Sequence, residues 1–112
     1  MGGIDLINEL QAKTKQLETS LKLLRKNGIE LAQAERDYKV LLNTECLKLR
    51  DEGMAVGMID KISYGIPSVA EARFKRDCAE VVYTANKEAI NVYKLQARII
   101  ENQISRDWGR GE

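Results

Sequence analysis

A chain of 112 residues has room for one domain, and its 18 basic and 17 acidic side chains leave a net charge of +1, too even to point to nucleic acid or an anionic membrane. Histidine is absent, which removes imidazole acid–base chemistry, the usual nucleophile triads and imidazole metal ligands. The apolar runs are far shorter than the roughly 20 residues a membrane span needs, and the N-terminus carries no basic-apolar-small signal, so the expected location is the cytoplasm.

The first predicted element runs from about residue 4 to 52. Alternating three- and four-residue steps pick out Ile7, Leu10, Thr14, Leu17, Leu21, Leu24, Gly28, Leu31, Glu35, Tyr38, Leu42, Glu45 and Leu49. A mean spacing of 3.5 residues keeps one helical stripe facing a partner, so this is a heptad packing seam. Asp5 suits the positive end of the helix dipole, and Gly53 is placed as a terminator. Asn27-Gly28 is a turn signal, but Gly28 stays in phase with Leu24 and Leu31, where a turn would reset the phase. The reading is therefore one helix of about 49 residues, roughly 73 Å long.

Residues 53–66, GMAVGMIDKISYGI, contain three glycines and enough periodicity for one short helix, about 56–63. Pro67 stands where first-turn prolines stand and opens a second long helix, about 67–108, that Gly109 ends. Its seam is Phe74, Cys78, Val81, Ala85, Glu88, Val92, Leu95 and Ile99, with a second stripe of Ile90, Tyr93, Ala97, Ile100, Ile104 and Trp108 beside it.

Two long helices with a short connection predict an all-α fold: a long antiparallel, coiled-coil-like hairpin with a short helix at its tip, forming a single domain over 1–112. A hairpin covers one stripe per helix. The extra stripe on the second helix calls for another surface, which a second copy supplies, so the hairpin is expected to assemble into a dimeric or tetrameric helix bundle. Glu35, Glu45 and Glu88 on the seams either fix register or turn to solvent, with solvent the favoured reading.

No catalytic, cofactor-binding or metal-binding residue emerges. GMAVGMIDK lacks the spacing of a phosphate-cradling loop, and neighbouring carboxylates such as Asp51 and Glu52 read as a solvated face. Cys46 and Cys78 form no C-x-x-C pair and are expected as reduced, packed thiols. The protein is thus read as a non-enzyme without cofactors.

An alternative function lies in residues 49–76, whose outline is that of a helix-turn-helix of the resolvase and transposase type. Ser68, Glu71, Arg73 and Lys75 would then face the groove, with Arg76 a further phosphate contact. Against it stand a turn about one residue too long, the intrusion of Pro67, and four acidic against four basic groups from Gly53 through Val82. In the favoured reading Ile59, Ile62 and Val69 merely plug the tip, and nucleic acid is not the favoured partner.

The runs ELAQAERDYKVLLNTECLKLRDEGM and EARFKRDCAEVVYTANKEAINVYKLQARIIENQISRDWG resemble small uncharacterised helical proteins encoded by phages and prophages of Gram-positive bacteria. The likeness covers about residues 31–109. It implies an accessory role among early replication, recombination and host-takeover functions, and no established activity. The expectation is a non-enzymatic phage accessory protein: an oligomeric helical scaffold that binds itself and a phage or host protein in the host cytoplasm.

Overall fold

A computed structural model describes residues 3–110, all but a few of them helical, with no strand among them. Helix α1 spans Gly3–Asp51, α2 spans Val56–Ile62, one 3-10 turn covers Ser63–Gly65, and α3 spans Pro67–Arg110. Both long helices cross the point where the chain divides into two compact units: one formed by α1 to Lys26 with α3 from Thr84, the other by Asn27–Tyr83.

The ends of the helices follow from local chemistry. Gly53 takes φ +90°, a left-handed conformation that a side chain resists. The Met54 N–H then reaches back to the Leu49 carbonyl at 3.1 Å and the Gly53 N–H to the Arg50 carbonyl at 3.0 Å, satisfying carbonyls that a simple stop would leave orphaned. Ile66 is extended (φ −63°, ψ 127°), as the residue before proline must be, and its carbonyl accepts the Ala70 N–H at 2.9 Å. Pro67 therefore begins α3 where its missing N–H costs nothing.

In the first unit α1 packs through Leu6, Leu10, Lys13, Leu17, Ser20 and Leu24. Leu10, Leu17 and Leu24 agree with the sequence reading, but the positions between them lie one residue earlier than Ile7, Thr14 and Leu21. Leu21 is 47 % exposed, whereas Ser20 is 8 % exposed. The cause is the residue across from it. Buried Asn86 donates its Nδ2–H to the Ser20 carbonyl at 3.0 Å, and a small side chain at position 20 lets the amide in. A pattern of leucines alone conceals this polar layer.

On α3 the two stripes exchange roles. Ile90 and Ile100 are buried, and Tyr93, Ala97 and Ile104 are half-buried, so the second stripe is the one that meets α1. Val92, Leu95 and Ile99, expected on the hairpin seam, are 48 %, 56 % and 53 % exposed. The same correction holds in the second unit, where Val81 is 68 % exposed. Heptad spacing fits both stripes. The selected stripe carries Asn86 and two tyrosines, Tyr83 and Tyr93, which offer hydrogen bonding as well as area.

In the second unit Tyr38, Ile59, Ser63 and Val69 are buried, while Leu31, Leu42 and Leu49 are half-buried. Ile59 and Val69 plug the tip as expected; Ile62 is 40 % exposed and does not. α1 passes through Gly28 without a break. A Cβ there would stand 3.2 Å from Tyr83 Cε1, so the glycine gives the ring a close approach rather than a turn. Within each unit α1 and α3 run in opposite directions: Gly28 meets Tyr83 and Tyr38 meets Arg76 in one, and in the other Ser20 meets Asn86 while Leu6 shares a cleft with Ile104.

Candidate interaction surface

The outward face of α3 carries a row of exposed apolar residues. Phe74 and Val81 are 63 % and 68 % exposed, and Cys78, Ala85, Val92, Leu95 and Ile99 are exposed with them. These residues recur at four- and three-residue steps on one helix, and Glu88 alone interrupts them, so they form one line. The exposed apolar residues of α1 make no such line: Val40 and Leu47 are a heptad apart, but Gln33 and Lys26 occupy the preceding positions of that row. Cys78, expected to be packed, therefore faces outward, while Cys46 is half-buried.

Of the residues of the alternative DNA-binding reading, Ser68, Glu71 and Lys75 share one groove, and Arg73 and Arg76 have other surroundings. Ser68 and Lys75 line a shallow groove with Glu71 on the same helix and Glu30 and Asp37 on α1. Carboxylates from both helices line this groove, Asp37 already paired with Arg36 at 3.2 Å, and such a lining is a poor match for phosphate. Arg73 lies elsewhere, with its guanidinium 5.5 Å from the centroid of the Tyr64 ring. Arg76 stacks over Tyr38 at 4.8 Å and donates two hydrogen bonds to Asp77 Oδ1, at 2.8 Å and 3.0 Å. The Asp77 hydrogen bond raises the Arg76 pKa above its ordinary value, so the side chain is a permanent cation, but one already engaged.

Of the seam glutamates, Glu35 and Glu45 are half-buried and pair with Lys39 at 3.4 Å and Lys48 at 3.3 Å, both lysines being exposed. Pairs three or four residues apart on one helix stabilise it by only a few tenths of a kcal/mol. Glu88 is exposed on the outward face of α3.

At the other end of α3, Ile104, Asp107 and Trp108 form an open cleft of about 660 Å³ with Ile4, Leu6 and Ile7 of α1. Its wall is mostly apolar, with Asp107 the titratable side chain among its lining residues. No cluster of three or more His, Cys, Asp or Glu among the described residues is arranged to hold a metal ion. No described helix is long and apolar enough to cross a membrane.

The sequence reading missed the Ser20–Asn86 contact and the half-buried Gln96, whose Oε1 is buried without a hydrogen-bond partner. The signal available for the first was Asn86 lying between Tyr83 and Ile90 at heptad spacing, since a lone asparagine in such a row is a register device. Comparison with known protein families, with curated proteins and with solved structures finds no match to this chain.

Proposed function

We propose that this is a non-enzymatic, self-associating helical scaffold that works by presenting helical surface to other protein chains. The observation that carries the reading is the apolar line on the outward face of α3. An exposed contiguous apolar line is costly in water and marks a contact surface more often than a solvated one.

A cytoplasmic accessory role in a phage or its host fits this reading, and the resemblance of residues 31–109 to phage and prophage helical proteins is what supports it. The engagement of Arg76 and the acidic lining around Lys75 weigh against DNA as the partner. Light scattering from sub-micromolar to tens of micromolar protein, run beside a DNA mobility shift at low and moderate salt, tests the proposal. An oligomer with no salt-dependent shift is expected. A particle of about 13 kDa at every concentration, by the mass of one chain, overturns the proposal, as does tight DNA binding that weakens steeply with salt.

A further inference from the structure

We infer that the outward line of α3 is closed by α3 of a second copy, lying antiparallel, in a register that sets Phe74 against Ile99, Cys78 against Leu95, Val81 against Val92 and Ala85 against Glu88. The inference rests on the self-association proposed above and adds its face, direction and register.

The line extends from Phe74 to Ile99 on one uninterrupted helix, about 38 Å at 1.5 Å per residue. That is long enough for the three to four heptads a two-stranded seam needs. In a two-fold pair each contact occurs twice, because residue i meets j and j meets i. Only a register that suits both halves of the line can therefore close it.

In an antiparallel pair the first and second heptad positions of one helix meet the second and first of the other, which gives the four layers above. The largest side chain, Phe74, meets a branched one, and Leu95 meets the smaller Cys78. Glu88 meets Ala85, whose single methyl leaves room for the carboxylate to reach the solvated edge.

Charge selects the same arrangement. The residues flanking the line on one side are Asp77, Thr84, Asn91 and Arg98, all exposed. In this register Asp77 lies beside Arg98 of the second copy, and Thr84 beside Asn91, each twice. Both Arg76 bonds to Asp77 end on Oδ1, and the Asp77 side chain is 52 % exposed, so the carboxylate remains accessible to a second cation. A parallel pair does the opposite. It stacks Glu88 on Glu88 and leaves Asp77 and Arg98 about 30 Å apart, by 21 residues along the helix.

The native thiol makes the register directly readable. With Cys46→Ala removing the other cysteine, Leu95→Cys places a thiol across from Cys78 of the second copy at both ends of the pair. Mild oxidation at micromolar concentration is expected to yield a covalent dimer with Leu95→Cys present and little without it. Covalent dimer from Cys78 alone, as efficient as with Leu95→Cys, indicates a parallel pair and overturns the inference. An oligomer by sedimentation that fails to cross-link through position 95 overturns the register while sparing self-association; a monomer before oxidation removes both.

Charge exchange provides a second arm that needs no thiol. Asp77→Arg is expected to raise the dimer dissociation constant about tenfold, as two opposed cation pairs replace two attractive ones. Arg98→Asp in addition should restore it, because the pairs re-form with reversed sign. Failure of the double variant to recover, with helicity unchanged, rejects the Asp77–Arg98 contact.

Discussion

Gly28→Ala separates a continuous helix from a turn, and its size follows from one contact. In a helix interior alanine is favoured over glycine by about 1 kcal/mol, from propensity and from the lower entropy of the unfolded chain. Opposing this, the new methyl stands 3.2 Å from Tyr83 Cε1, with the next ring atoms at 3.8 Å and 3.9 Å. Carbon contacts are optimal at about 3.5–4.0 Å, so the ring must withdraw by a few tenths of an ångström. Overpacking a tight core costs about 1–3 kcal/mol. Here one atom of a half-buried ring is crowded, and a cost near 0.5 kcal/mol is the reasonable share, leaving a net gain of about 0.5 kcal/mol. In a Tyr83→Leu background the crowding disappears and the full gain of about 1 kcal/mol should appear. Urea unfolding of the four proteins at one fixed concentration, followed by far-UV circular dichroism, measures the coupling. Equal gains in both backgrounds would remove Tyr83 from the contact. A loss above about 1 kcal/mol in both would show a turn at Gly28 and two helices where α1 is one.

Gly53→Ala should lower stability by about 1–2 kcal/mol, since φ +90° is unfavourable for any residue with a Cβ; an unchanged melting temperature would mean that the terminus of α1 does not use this conformation. Asn86→Asp should cost about 2 kcal/mol or more at neutral pH, because a carboxylate cannot donate to the Ser20 carbonyl and carries a charge into a buried layer. A loss within experimental error would show that the Asn86 site is open to water. Cys78 should react rapidly with a thiol reagent in dilute protein and slow as concentration rises, while the half-buried Cys46 stays slower than an exposed thiol at every concentration. A Cys78 rate independent of concentration argues against its place in the α3 pairing.

The helices were legible because their punctuation is chemical: Gly53 as a left-handed stop and Pro67 as a start place two boundaries to within a residue. Continuity through Gly28 was legible too, since Leu24 and Leu31 keep one phase. The packed face was half legible. Leu10, Leu17, Leu24, Leu31 and Tyr38 lie where periodicity put them, but choosing the intervening row by hydrophobicity selects Leu21 over Ser20. The chosen row depends on Asn86, 66 residues away along the chain but one hydrogen bond away in space. For α3, two rows share the heptad period and differ only in phase. Hydrophobicity does not distinguish Val92 and Ile99 from Tyr93 and Ile100, and the signal in Asn86 takes its meaning from the Ser20 carbonyl on the partner helix. For the alternative DNA-binding segment, the aromatic rings of Tyr38 and Tyr64 that take up Arg76 and Arg73 could not be placed from spacing.

The central claim is that the outward line of α3 is a contact between copies, and sedimentation velocity on two paired-charge variants tests it most directly. Val81→Glu with Leu95→Glu puts two charges into the line at positions that are already exposed, so the single chain should keep its helicity. Ile29→Glu with Leu47→Glu does the same on α1 at exposed positions outside any such line. At micromolar concentration the account predicts an oligomer for the unmodified protein and for the α1 variant, and a monomer of unchanged helical content for the α3 variant. An α3 variant that sediments as the unmodified protein does would contradict it.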